Sequence, residues 1–351
     1  MNKNIKVAVI GFGKRGKTHL QNYLKINGVR VVAICDVKKC VTTHQNIVYY
    51  RDYKKMIDLE KPDVVSICVP TSEHYPIALH CLKKGINVLC EKPITLTLTQ
   101  AERLLSVVRK NKLVMQVGYH LKFDNLIIKL KSIIDSRELG KILMIKARQS
   151  HDWGGLKPFG WLLNKLKSGG GTIIDNASHY LNLFEYLLGD IDEIHAFANN
   201  LSFGKAVEDN AIITVKFRKY ILGEIETSWL DSSGRNNQLL VYGDKAVAEY
   251  RETNAERILE IKRYRQDKDE WNRLVREDIY LPKGIEQLGK KDCFPAGEKF
   301  LFESTENMLR LFIGLLEEKK QRGELKRAIR TLKLVQSAYK SIKTKRAIKI
   351  V

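Results

Sequence analysis

The sequence predicts two domains of different class. An α/β domain spans residues 1–120, and a second domain that contains an antiparallel sheet spans 121–351. Three observations carry this. The first third alternates short apolar runs with helical patterns. From Glu193 to Lys262, strand-like runs follow one another without helices between them. The 351 residues are also enough for two domains at roughly 150 residues each.

In the first part the strand-like runs are 5–10, 30–35, 63–69, 86–90 and 114–117. The helical patterns between them are 14–26, 53–59, 73–84 and 98–110. Strands that are apolar throughout and separated by helices predict a parallel sheet covered on both faces. Further on, a helix at 125–134 leads to a strand at 142–147, and Gly169-Gly170-Gly171 breaks the chain before a helix to about 188. Strands are then expected at 193–198, 210–217, 222–229, 238–242, 246–250 and 258–262. Residues 263–297 are charged and punctuated by Pro282 and Pro295, so they read as loop. Two helices, 298–320 and 324–341, close the chain, and no internal repeat is present.

Composition excludes several classes. At 44% hydrophobic and 29% charged residues the chain is globular in type. No apolar run reaches the roughly 18 residues of a membrane span. The net charge of +21 is uneven: +12 lies in residues 1–120, −1 in 121–309 and +10 in 310–351. Such an excess is compatible with phosphate or nucleic acid as a partner. In the last segment, however, Leu311, Leu315, Leu332, Leu334, Val335 and Tyr339 are interleaved with the lysines, the pattern of amphipathic helices with a basic outer face. The six cysteines contain no C-x-x-C pair, so no metal site is expected. They read as free thiols of a reducing compartment. Residues 1–13 read as a first strand rather than a leader, which suggests a cytoplasmic protein.

Gly11-Phe12-Gly13-Lys14-Arg15-Gly16 fits G-x-G-x-x-G between a predicted strand and a predicted helix, and Asp36 ends the second strand. In a dinucleotide site the glycines serve the tight turn, the approach of the pyrophosphate and helix–sheet packing, while the acid binds the adenosine ribose. Asp36 favours NAD, since a carboxylate repels a 2′-phosphate. Lys38 and Lys39 lie close enough to keep NADP as the alternative.

Two further groups suggest proton chemistry. Glu91-Lys92-Pro93 ends a parallel strand, the edge of the sheet where ligands bind. Lys92 there either stabilises a developing alkoxide or is a solvated turn lysine. Asp175 and His179, four apart on a predicted helix, share a face. They are either an oriented acid–base pair or an ordinary helix-surface pair. His151-Asp152-Trp153 and Trp161 precede that helix, with Lys122, Arg148 and Lys165 as candidate contacts for an anionic substrate. Lys122 and Trp161 are kept as the substrate-binding candidates.

Taken together these motifs resemble the Gfo/Idh/MocA oxidoreductases, the family of glucose-fructose oxidoreductase and inositol dehydrogenase. The similar stretches are Gly11 to Gly16, Pro70-Thr71-Ser72-Glu73-His74, Gly85 through Pro93, Gly118-Tyr119 with Lys122-Phe123, Glu138-Leu139-Gly140, Gly169 through His179 to Leu188-Gly189, and Ala338 to Ser341. They cover nearly the whole chain. The resemblance implies a Rossmann domain followed by an α+β domain whose large, mostly antiparallel, open-faced sheet packs face to face in homodimers or homotetramers. It implies hydride transfer between a nicotinamide and a hydroxyl-bearing carbon of a sugar, cyclitol or nucleotide-linked sugar. By motif, Lys92 polarises the reacting oxygen, His179 is the general acid or base, and Asp175 binds substrate or His179. Pro70, Thr71, His74 and Glu91 line the cofactor cleft. Ala177, Asn182 and the pair His120-Leu121 depart from the family's usual residues, and the segment between Asp36 and Asp63 is short for it. The alternative is a non-catalytic dinucleotide sensor whose basic tail contacts nucleic acid.

Overall fold

The N-terminal unit is organised by a six-stranded parallel sheet made of β1 (Ile5–Ile10), β2 (Val29–Cys35), β3 (Val48–Tyr50), β4 (Val64–Ile67), β5 (Asn87–Cys90) and β6 (Met115–Val117). Its order is β3-β2-β1-β4-β5-β6, so the topology reverses between β1 and β4, and ligands bind sheets of this kind at that switch point. The computed structural model describes residues 4–38, 46–152, 160–203, 206–218, 220–253, 256–265, 273–280, 296–318 and 323–350. Between the strands run α1 (Lys14–Tyr23), α2 (Tyr53–Glu60), α3 (Thr71–Lys83) and α4 (Leu98–Lys110). One core joins Ala8, Ile10, Val65, Ile67, Val88 and Cys90 of the strands to Ile77, Cys81, Leu104 and Val108 of α3 and α4. The strand β3 was not expected. It is three residues long and takes its hydrogen bonds from β2, so its own sequence carries no strand period.

The second unit holds α5 (Asn125–Asp135), β7 (Ile142–Ser150), the short α6 (Lys165–Ser168), α7 (Ser178–Leu188), β8 (Ile191–Asn199), β9 (Asn210–Phe217), β10 (Leu222–Ser228), β11 (Asn236–Gly243), β12 (Ala246–Thr253), β13 (Arg257–Arg265) and β14 (Arg273–Tyr280). The chain ends with α8 (Ala296–Glu317), α9 (Glu324–Thr344) and β15 (Ile348–Lys349). Nine strands form one sheet in the order β14-β13-β12-β11-β7-β10-β9-β8-β15. Its pairs are antiparallel except β7 with β10. Alternation sets its faces: Ile145, Ala147, Ile213, Val215, Leu239 and Val241 point into a core shared with α5 and α7. Helix α5 starts at Asp124, whose Oδ1 accepts from the backbone N–H of Leu126 and Ile127 at 2.9 and 3.0 Å while Oδ2 pairs with buried Arg257.

Two expectations are corrected. The expected loop 263–297 contains the end of β13 and all of β14, which pair with each other. An edge strand carries charge, and this conceals its period. Domain membership also differs from a single cut at 120/121. Residues 166–169 and 302–333 group with the N-terminal unit, because Leu325, Ala328 and Leu332 enter its core. Pro282, Pro295, Cys293, Cys40, Lys39 and Trp153 lie outside the described residues.

Candidate active site

Each fingerprint glycine has its own physical reason. Gly11 sits at φ +88°, and a Cβ there would lie 2.4 Å from the Cys68 carbonyl oxygen. A Cβ on Gly16 would lie 1.9 Å from the Gly11 carbonyl oxygen, so α1 packs directly on the loop. A Cβ on Gly13 would meet nothing within 4 Å. Gly13 is the N-cap of α1 and provides no side-chain cap, and the space beside it at the helix N-terminus is open. This cradle fits a pyrophosphate. Gly13→Ala should leave the urea midpoint unchanged yet weaken NADH binding about tenfold or more, whereas Gly16→Ala should lower both. Equal losses of stability in the two variants would contradict these separate roles.

Asp36 follows β2, as expected. Its Oδ2 accepts from the Phe12 N–H at 2.7 Å and its Oδ1 from the Lys38 N–H at 2.8 Å. Tyr49 of β3 donates to the Asp36 carbonyl at 2.9 Å. The carboxylate therefore braces the fingerprint loop, and it has lone pairs left for ribose hydroxyls.

At the end of β5, Glu91 is almost fully buried. Arg15 donates to its Oε1 through Nε at 3.0 Å and Nη2 at 2.6 Å, and His19 Nε2 lies 3.0 Å from the same oxygen. Ser66 Oγ lies 2.8 Å from His19 Nδ1, so the ring donates to Glu91 and accepts from Ser66. Burial by itself pushes the Glu91 carboxyl up. The Arg15 guanidinium and the His19 hydrogen bond outweigh it and hold the group well below the usual carboxylate range. Burial also lowers the His19 pKa despite the adjacent carboxylate, which favours the neutral ring. A Cβ on Gly118 would come within 2.9 Å of Glu91, which leaves only glycine room beside it. Among the fingerprint residues, Arg15 is thus directed at Glu91. The sequence offered no spacing rule for Arg15, His19 and Glu91, since they meet only through the fold.

Lys92 follows Glu91 directly, is half-buried, and donates its backbone N–H to Glu91 Oε2 at 3.3 Å. Pro70 caps α3, and Thr71 and His74 are buried in its first turn. His74 Nδ1 lies 2.7 Å from the Pro93 carbonyl and Nε2 2.9 Å from that of Val69. Burial lowers its pKa, while two carbonyl acceptors favour the doubly protonated ring, and the two effects oppose each other. His120 is also buried, and burial together with the nearby Arg15 charge takes its pKa down to about 3. Gly11 to Gly16, Asp36, Pro70, Thr71, His74, Glu91 and Lys92 therefore collect at the C-terminal ends of β1, β2, β4 and β5.

The other candidates belong to the second unit. Asp175 does not stand on a regular α-helix. Residues Ile173–Ala177 form a π turn, in which the Ser178 N–H reaches the Ile173 carbonyl, and α7 begins only at Ser178. Such turns recur at functional sites. From Gly171 to Glu185 every residue is buried except Asp175, which is half-buried, and His179 opens the first turn of α7. Lys122, in a 3-10 turn (Leu121–Phe123), is 6% exposed with its ammonium 5.3 Å from the Phe123 ring centroid. Trp161 packs against the small cluster of Leu162, Val207 and Trp229. Arg148 is engaged by Glu226 at 3.2 Å and Asp231 at 3.0 Å. Among the described residues no cluster could hold a metal ion.

Residues 5–119 match the oxidoreductase family described as having an NAD-binding Rossmann fold, and residues 127–249 match the GFO/IDH/MocA C-terminal domain. D-glucoside 3-dehydrogenase of Escherichia coli (strain K12) is 30% identical over 268 residues, 70% of this chain and 76% of that one. Myo-inositol 2-dehydrogenase of Thermotoga maritima is 26% identical over 253 residues, 69% of this chain and 73% of that one. Among solved structures, levoglucosan dehydrogenase in complex with NADH superposes with a TM-score of 0.83 at 17% identity, covering 99% of both chains. The chain belongs to the Gfo/Idh/MocA family of NAD-binding oxidoreductases.

Proposed function

We propose that the protein oxidises or reduces one hydroxyl-bearing carbon of a sugar or cyclitol, free or nucleotide-linked, with NAD as cofactor and NADP as the weaker alternative. The relatives carry the substrate class, since they are named for inositol and glucoside. Bound NAD supplies the hydride acceptor or donor. The chain's own residues do the rest. The ammonium of Lys92, with three donors and no acceptor, holds the reacting oxygen and stabilises charge as it develops there. His179 takes or returns the hydroxyl proton, and Asp175 orients His179 or binds a neighbouring hydroxyl. Lys122 and Trp161 are proposed substrate contacts. Asp36 supports NAD, because its carboxylate braces the loop where a 2′-phosphate would be repelled.

A homo-oligomer, dimer or tetramer, is proposed from the outer sheet face. Phe197, Ile212 and Leu222 are exposed there beside a groove of about 390 Å³ lined by Met144, His195 and Thr214. Cytoplasmic location is supported by four free cysteines, Cys35, Cys68, Cys81 and Cys90. No described helix is long and apolar enough to cross a membrane. The reading is tested by NADH absorbance with NAD against myo-inositol, scyllo-inositol, methyl glucoside, levoglucosan and UDP-glucose. Turnover of at least one is expected. Failure of all of them, in a chain shown to bind NADH, sinks the substrate class.

A further inference from the structure

Three consecutive glycines precede the π turn, and the structure gives two of them a specific neighbour. A Cβ on Gly170 would lie 1.9 Å from the Tyr339 hydroxyl, and a Cβ on Gly171 would lie 1.9 Å from the Glu208 carbonyl oxygen. Those same two residues hold the turn. Glu208 Oε1 accepts from the backbone N–H of Gly171 at 3.0 Å and of Ile173 at 3.0 Å. The Glu208 carbonyl accepts from the Thr172 N–H between them at 2.9 Å. Tyr339 donates its hydroxyl to Glu208 Oε1 at 2.8 Å. One residue thus serves three successive N–H groups at the start of a helical segment, groups with no partner inside the helix. Its carboxylate also places negative charge at the positive end of that segment. Two more contacts fix the next turn: Asn176 donates to Thr172 Oγ1 at 3.2 Å, and Ser178 donates to the Ile174 carbonyl at 2.7 Å.

We propose that Glu208 and Tyr339 are positioning residues, a clamp that holds the triple-glycine entry and its π turn so that Asp175 and His179 keep a single placement. The proposal rests on the acid–base reading of Asp175 and His179. The physical reason is local. A π turn leaves its backbone hydrogen bonds in a geometry a regular helix does not need, and glycine entry residues add conformational freedom. Without an external acceptor the segment has a competing α-helical register. The clamp removes that alternative by occupying three N–H groups at once. Neither residue is near Asp175 in sequence, so pattern alone could not associate them.

The test uses the full chain in five variants, Glu208→Ala, Glu208→Gln, Tyr339→Phe, Gly171→Ala and His179→Ala. Turnover is measured with the fastest polyol of the panel above and divided by the folded fraction from far-UV circular dichroism. Hydrogen–deuterium exchange is measured by mass spectrometry on the peptide covering 170–180. Glu208→Ala should lower the corrected kcat about 100-fold with NADH affinity unchanged, since misplacement of about 1 Å costs that much. Glu208→Gln retains an acceptor oxygen and should recover to within about tenfold of the parent, and Tyr339→Phe should lose less than about tenfold. Exchange over 170–180 should accelerate in Glu208→Ala and Gly171→Ala and return toward the parent rate in Glu208→Gln. A loss that tracks only the folded fraction, no recovery by glutamine, or unchanged exchange in both Glu208→Ala and Gly171→Ala overturns the clamp. If His179→Ala retains full turnover, the acid–base reading fails and the clamp's purpose with it. If His179→Ala is inactive while Glu208→Ala is fully active, only the clamp fails. If no polyol turns over, the exchange rates alone decide the clamp.

Discussion

Lys92→Ala and His179→Ala are each expected to lower kcat by about 10²- to 10⁴-fold, the range for one charge-stabilising or proton-transferring group. The mode of the loss matters as much as its size. Both groups would act on charge or a proton that exists only as the reaction proceeds, so kcat and kcat/KM should fall together with KM little changed. NADH affinity of His179→Ala should equal that of the parent, because the fingerprint, Asp36 and Glu91 all lie in the N-terminal unit and His179 does not. Steady-state kinetics and NADH fluorescence check both statements. Full turnover in either variant would remove that residue from the chemistry.

Glu91→Ala should strongly destabilise the N-terminal unit. It leaves His19 fully buried and Arg15 three-quarters buried without the carboxylate that both contact. The cost is about 3 kcal/mol, toward the lower end for a broken buried pair, because part of Arg15 stays in water. A downward shift of the urea midpoint measures it. The same network fixes the pH response. Glu91 titrates lower in the folded state than its ordinary value of 4.5, so its contribution is complete above that value and is lost as pH falls through the folded pKa. His19 and His120 are also depressed from 6.5, the latter to about 3. Unfolding below pH 6.5 therefore takes up protons at both rings, and stability should fall as pH drops from 7 toward 5. Urea melts at pH 7, 6 and 5 test this, and a flat midpoint across them would show that these rings are not buried neutral.

Much of the fold was legible because its signals are local. The five apolar runs of the first domain became β1, β2, β4, β5 and β6, and the pattern at 98–110 became α4 (Leu98–Lys110) without change. The described part of the basic terminal segment follows its apolar period: Leu332, Leu334, Val335 and Ala338 are buried, while Lys326, Lys340 and Lys343 of α9 are exposed. Elements whose order comes from a neighbour were not legible. β3 exists because β2 offers it hydrogen bonds, and β14 because β13 does.

The site divides in the same way. From residues alone came the glycine fingerprint and Asp36, because each rests on residue type at short spacing, whereas Lys92 and the pair Asp175 and His179 were equally readable as surface groups and drew their roles from the family resemblance. Only the tertiary structure brings Arg15 and His19 to Glu91, 76 and 72 residues away, and Tyr339 to Glu208 across 131 residues. Only the structure turns the expected α-helix at Asp175 into a π turn. The reason is general. A short motif specifies which chemical groups are present, whereas burial, protonation and hydrogen-bond partners depend on which distant segments the packed chain places beside them.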